Sequence, residues 1–249
     1  MTAREVSTLY RPLRRYRNLS DLFEDLVQAF YSAHVRPGDL CVDGGANRGR
    51  HSILVAQLVG HGKVHSYEPL PEIVELLIHN LSEAHVRQRV EIHTCALADV
   101  GGARDFVSFY SPSNHVSDYY SGLRKKATPE DWAWQTIRTP VTTLDCSLSG
   151  LSGLSFIKLG LKGGEYHALS GGEQIIKSQR PLIVFENGRH RAAALYGYSV
   201  DDFWDLLERL GYALADILGT EMTPELWKQA DWNLGILLRS LENWVVPTG

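Results

Sequence analysis

The chain has 249 residues, 44% hydrophobic and 22% charged, with a net charge of −4. That is enough sequence for one well-buried α/β domain of ordinary globular composition. The charge gives no global nucleic-acid signature, and no apolar run approaches the ~18 residues of a membrane span.

Residues 1–36 read as an N-terminal arm and helix. The basic run from Arg11 to Arg17 is a solvated arm or a contact for a membrane surface or anionic partner. The start lacks the apolar segment of a signal peptide. Leu19, Phe23, Leu26, Val27 and Phe30 recur at helical spacing. Pro37-Gly38 ends that segment, and one domain follows over 37–249. Its first strand is expected at 40–43, a helix at 52–59, and a second strand at 63–68. Pro71 opens a helix to about 81, and 90–97 reads as a third strand.

The alternation then breaks. Residues 101–144 read as an insertion: strands at 105–110 and 137–144 form a β-hairpin around a Ser- and Asn-rich turn. Thr128-Pro129-Glu130-Asp131 has the form of a helix start. So long a loop in a compact domain points to function. Alternation resumes with a strand at 154–161, a helix from Gly164 to about 178 and a strand at 181–185. Ser199 with Asp202 caps a further helix. Strands at 213–218 and 234–238 close the domain as an antiparallel pair, with a short helix starting at Thr223-Pro224 between them. This order predicts about seven strands in a mostly parallel sheet, helices on both faces. Cys41, Cys95 and Cys146 are scattered and odd in number. Cys41 and Cys95 fall in predicted strands as buried, reduced thiols, which fits a cytoplasmic protein.

The most informative stretch is VDGGANRGR, Val42 to Arg50, followed by YEP at Tyr67 to Pro69. A strand, an acid, a glycine turn, a helix and a second acid-tipped strand form a nucleoside-cofactor layout. A dinucleotide loop offers backbone N–H groups to pyrophosphate, and Asp43 would repel that anion. S-adenosylmethionine has no phosphate and carries an ammonium and a sulfonium, so Asp43 suits it better than NAD. Asp43 accepts from the ammonium, directly or through water. Gly44, Gly45 and Gly49 allow close backbone approach, and Ala46 and Asn47 complete the loop. Glu68, beside Pro69, accepts the ribose hydroxyls. Leu97 packs on adenine, and Asp99 meets its amino group or is an ordinary turn acid. Arg48 and Arg50 are exposed at the helix start or meet an anionic substrate.

VDGGANRG, YEPLPE, CALAD, SGL at Ser121 to Leu123, FIKLGLKGGEY and PLIVFENG together resemble the FkbM family of S-adenosylmethionine-dependent methyltransferases. The resemblance spans Cys41 to Gly188. It implies a Rossmann-like class I methyltransferase fold with a seven-stranded sheet. It also leads one to expect FIKLDLEGGEY, where this chain has Gly160 and Lys162 in place of two acids. In related O-methyltransferases an acid there faces the reacting hydroxyl or holds a metal, and Gly160 does neither. Gly160 is left as a cofactor neighbour, and no metal site is expected.

The implied activity is O-methylation of a hydroxyl on a sugar, polyketide or other natural product. Candidate catalytic residues are Glu165, Glu186, Lys158 and His115. Glu186 is a base, an orienting group, or a partner of Arg189 or Arg191. Lys158 lies among apolar strand residues and needs a buried partner or reaches the site. His115 sits in the insertion loop, where histidines serve as bases. His167 reads as a surface histidine. Tyr119, Tyr120, Trp132 and Trp134 form an aromatic wall over the acceptor or simply pack the insertion. The missing acids leave three alternatives: an intact site, one adapted to an anionic substrate held by Lys162, or a catalytically degenerate cofactor-binding protein. Expected partners are a small-molecule hydroxyl acceptor and a second copy in a homodimer, with no nucleic acid and no membrane span.

Overall fold

The structure is a computed structural model that describes residues 19–110, 121–125, 132–187, 189–216, 219–229 and 233–238. A helix over Leu19–His34 precedes β1 (Leu40–Gly44), a helix over Arg50–Leu58, and β2 (Lys63–Tyr67). A helix over Pro71–Glu83 leads to β3 (Val90–His93) and β4 (Ala96–Leu97), then β5 (Gly102–Tyr110) and β6 (Ala133–Thr142). β7 (Leu154–Leu159), β8 (Leu182–Asn187), β9 (Ala213–Asp216) and β10 (Asn233–Leu238) complete the strands. No helix among the described residues is long and apolar enough to cross a membrane.

The main sheet has seven strands in the order β3-β2-β1-β7-β8-β10-β9. The first five pair in parallel, and β10 runs antiparallel to both β8 and β9. Chain order reverses direction across the sheet between β1 and β7, which opens a crevice at their carboxyl ends. Alternate residues feed opposite cores. Val42, Ile157, Leu159, Ile183 and Phe185 join one. Cys41, Phe156 and Val184 join the other, together with Val27, Phe30 and Tyr31 of the N-terminal helix.

Helix ends follow local chemistry. Pro71 stands at the start of its helix, where a missing N–H removes no bond. Ser199 and Asp202 form a complete capping box, and Gly211 closes that helix at φ 71°.

Four expectations change. The strand expected at 90–97 divides, because the Cys95 N–H turns back onto His93 O and β4 leaves to pair with β6. The helix expected from Gly164 to about 178 is two, Glu165–Ser170 and Glu173–Gln179. The break is at Gly171-Gly172, where a Cβ on Gly171 would overlap the Ala98 carbonyl. The sequence reading left out a helix over Arg189–Tyr196, since RHRAAALY has no apolar stripe. The strand expected at 137–144 covers Ala133–Thr142 instead, and Leu144–Ser147 is helical with Thr143 as its cap. The hairpin itself is present: β5 and β6 pair antiparallel, and β4 makes it a three-stranded sheet. The helix start at Thr128–Asp131 lies outside the described residues.

Candidate active site

A cleft of ≈ 320 Å³ lies over the carboxyl ends of β1, β2, β7 and β8, within the usual range of small-molecule sites. Gly45, Ala46, Asn47, Glu68, Pro69, Leu97, Lys158, Gly160 and Glu186 all line it. So nine of the expected site residues converge, from segments far apart in the chain.

The loop after β1 is held by backbone bonds. The Gly45 and Ala46 N–H groups donate to Tyr67 O at 3.0 and 2.9 Å, and the Gly160 N–H donates to Gly44 O at 2.9 Å. Gly45 has φ 76°, and a Cβ there would overlap the Gly160 carbonyl, so only glycine fits. Glu68 is buried; its Oε2 accepts the Asn47 N–H at 3.0 Å and its Oε1 the Leu70 N–H at 3.1 Å. One carboxylate thus ties together the two loops that form this wall. Leu70, Ile73, Leu97 and Phe106 supply an apolar side suited to a flat ring.

The other end of the cleft is charged. Strand alternation places Ser66, Asp43, Lys158 and Glu186 on one face of four neighbouring strands. Asp43 is 1% exposed; its Oδ2 accepts from Ser52 Oγ at 2.6 Å. Its Oδ1 makes no hydrogen bond and lies 3.6 Å from Lys158 Nζ. Burial alone would push the Lys158 ammonium down, but Asp43, Glu186 and Glu24 outweigh it and hold the group above the ordinary lysine range. Lys162 Nζ donates to Glu186 Oε2 at 3.3 Å, which supplies the acid its charge required. A Cβ on Gly160 would stand 2.7 Å from Lys158 Nζ and 3.5 Å from Glu186 Oε1. The place of the expected acid is therefore occupied by an ammonium.

Several of the expected residues stand off the cleft wall. Asp43 and Gly44 do not line the cleft: Asp43 faces Ser52 and Lys158, and Gly44 is pressed against Leu159 and Leu97. Gly49 also stands back, at φ 91° against Leu77, where it starts the helix. Asp99 pairs with Arg104 at 2.6 Å and His167 at 3.1 Å. His167 is half-buried, not a surface residue, and its other nitrogen lies 3.1 Å from Tyr196 O. Glu165 is buried and off the cleft wall; its oxygens accept the Leu161 and Gly163 N–H groups at 2.6 and 2.9 Å. It clasps the turn that presents Lys162. Glu186 pairs with Lys162; the side chains of Arg189 and Arg191 lie outside the described set. Cys95 is half-buried in the bend after β3, on the cleft wall. Trp134 is 50% exposed under Lys125 Nζ at 3.5 Å, not a wall of this cleft. His115, Tyr119 and Tyr120 lie outside the described residues.

The sequence reading missed Glu24 and His51, both on the cleft wall and 2.6 Å apart. Burial would raise Glu24, but its hydrogen bond and charge pairing with His51, aided by Lys158 and Arg50, bring it down to about 2. Helical spacing gave no sign that the N-terminal helix reaches the site. Ser121, Gly122 and Leu123 of the insertion also line the cleft.

The methyltransferase FkbM domain family matches residues 43–214. The 31-O-demethyl-FK506 methyltransferase FkbM of Streptomyces tacrolimicus is 26% identical over 197 residues, 70% of this chain and 71% of that protein. Among solved structures, methyltransferase FkbM from Methylobacillus flagellatus KT is 18% identical with a TM-score of 0.49. That match covers 84% of this chain, which spans 50% of the length of that protein. A candidate rRNA methylase from Clostridium thermocellum, 12% identical, gives a TM-score of 0.52 over 87% of this chain and 96% of its own, a likeness of fold.

Proposed function

We propose, because the chain belongs to the FkbM family of methyltransferases, that it methylates a hydroxyl oxygen of a small molecule. Family membership makes it an S-adenosylmethionine-dependent methyltransferase; the acceptor, a sugar, polyketide or other natural product, is our reading. When bound, S-adenosylmethionine supplies a sulfonium-activated methyl group that needs an aligned nucleophile and little else.

The cleft fits that donor. Glu68 would hold the ribose hydroxyls, Leu97 would pack on adenine, and the backbone from Gly45 to Asn47 would bound the amino-acid end. At the charged end Lys158, held protonated, cannot take a proton; it orients the acceptor oxygen by donating to it. Glu186 Oε1 accepts the hydroxyl proton, while its Oε2 stays with Lys162. The observation that carries this reading is the convergence of Lys158 Nζ and Glu186 Oε1 on the Cβ side of Gly160.

The test is methyl transfer from labelled S-adenosylmethionine to a panel of hydroxylated acceptors, with products identified by mass spectrometry and NMR. O-methyl ethers are expected, and Glu186→Gln should lower turnover by about 10²–10⁴-fold without weakening S-adenosylhomocysteine binding. N- or C-methyl products, or full turnover in Glu186→Gln, would contradict the reading. The absence of an acid at Gly160 favours a second reading, a cofactor-binding protein without catalysis. A silent wild type beside an active Gly160→Asp/Lys162→Glu variant would support it.

A further inference from the structure

A second cluster of ligating side chains lies on the outer strands of the sheet, away from the charged end of the cleft. Register sets His65 beside Glu91 and Tyr67 beside His93 on the parallel pair β2/β3. Positions 65 and 67, and 91 and 93, share one face of these strands. It is opposite to the face of Val64, which feeds the other core. His93 Nε2 lies 3.0 Å from His65 Nδ1 and 3.9 Å from Glu91 Oε1. Glu91 Oε2 is 3.9 Å from His65 Nε2. One donor atom from each of the three residues falls within 4.8 Å of the others.

The 3.0 Å contact uses His65 Nδ1 and the carboxylate faces His65 Nε2, but one donor atom per residue within 4.8 Å is close enough for small side-chain rotations to bring all three onto one ion. Metal bonds of about 2.0–2.2 Å place two ligands of one ion roughly 3–4 Å apart. The separations do not suit a hydrogen-bonded triad, because the 3.9 Å from Glu91 to each ring is beyond hydrogen-bond reach. The carboxylate therefore leans over both imidazoles without bonding to either. The two rings lie within hydrogen-bond distance of each other, so one N–H donates to the other's lone pair. Moving that proton to the far nitrogen of its ring frees both lone pairs, which face each other across 3.0 Å, and a tilt of the His65 ring is what would bring them onto one ion. Tyr67 stacks on His93 at 4.5 Å and 12°, fixing the orientation of that ring. His65 is buried, while the Glu91 side chain is 61% exposed, which gives an entry path and room for water.

We propose that His65, His93 and Glu91 form a binding site for a divalent first-row transition metal of the Zn²⁺ class. Two imidazole nitrogens with one carboxylate oxygen select such ions over Mg²⁺ and Ca²⁺, which want oxygen donors throughout. Three protein ligands leave a position for solvent. The cluster uses no group assigned to donor or acceptor, so this inference stands apart from the proposed reaction.

Calorimetric titration of ZnCl₂ into the chelator-treated full chain tests it, with MgCl₂ alongside. One Zn²⁺ per chain is expected, bound more tightly than Mg²⁺. His65→Gln and His93→Gln should each weaken binding about tenfold or more, and Glu91→Gln should weaken it measurably. No Zn²⁺ binding by the wild type would overturn the proposal. So would an unchanged Kd in a folded His65→Gln/His93→Gln variant. Should that variant not fold, Glu91→Gln decides, because its exposed side chain leaves the core untouched, and an unchanged Kd there overturns the site.

Discussion

The two ends of the cleft are built by different means. The end proposed for the donor is mostly backbone: Gly45 and Ala46 are pinned to Tyr67 O, and Glu68 gathers the N–H groups of Asn47 and Leu70. The end proposed for the acceptor is mostly charge meeting across strands, with Asp43 beside Lys158 and Lys162 beside Glu186. A wall of backbone fixes a shape, and a set of ion pairs sets a protonation pattern. The first requires particular residues at short spacing along the chain. The second requires only that side chains from different strands end on one face.

Breaking the acceptor end should have the largest effect. Lys158→Met leaves Asp43 buried with no cation, and removing one partner of a buried pair costs about 3–5 kcal/mol. Urea unfolding should show that loss, and Asp43→Asn in the same background should recover most of it. A Lys158→Met chain as stable as wild type would mean that the seam is not held by charge. The donor end should break through geometry. Gly45→Ala forces a side chain into a left-handed conformation and against the Gly160 carbonyl. It should cost at least about 1–3 kcal/mol and abolish S-adenosylhomocysteine binding, read by thermal melting with and without that ligand.

Acid sharpens the comparison next. Glu24 sits at about 2 in the folded chain against an ordinary 4.5, so its stabilisation is complete above about 4.5. It is lost as pH falls from there toward 2. Melting temperatures of Glu24→Gln should therefore fall less steeply than wild type over that window; parallel curves would deny Glu24 this role. The smallest effect belongs to a site remote from both ends. Ser199→Ala removes the cap of the Val200–Leu210 helix and should cost about 1 kcal/mol while leaving ligand affinity unchanged.

The same contrast explains what was legible. Alternating apolar runs and their Gly, Pro and Ser punctuation predict β1, β2, β7, β8 and the closing pair, because tertiary packing here agrees with local preference. Gly45, Asn47 and Glu68 were legible as neighbours of one cleft, the first two from one short loop after β1 and Glu68 from the end of β2. Asp43 shares a strand face with Lys158 and Glu186, but its carboxylate is taken up by Ser52 Oγ and faces Lys158 instead of lining the cleft. The contacts of Glu165 could not be read, since its side chain folds back onto the Leu161 and Gly163 N–H groups, a local clasp that looks like an active-site acid in sequence. Glu24 and His51 could not be read, since they meet only when the N-terminal helix docks. His65, Glu91 and His93 show no metal-type spacing, because their neighbourhood is created by the β2/β3 register.

The most direct test of the central claim, that this cleft is the donor site, is calorimetry of S-adenosylhomocysteine with wild type and Glu68→Gln. Glutamine keeps the side chain's shape and one acceptor while removing the carboxylate that would meet the ribose. One ligand per chain, bound about tenfold or more weakly by Glu68→Gln, is the predicted result. No binding by the wild type, or equal affinity in both chains, would contradict the account.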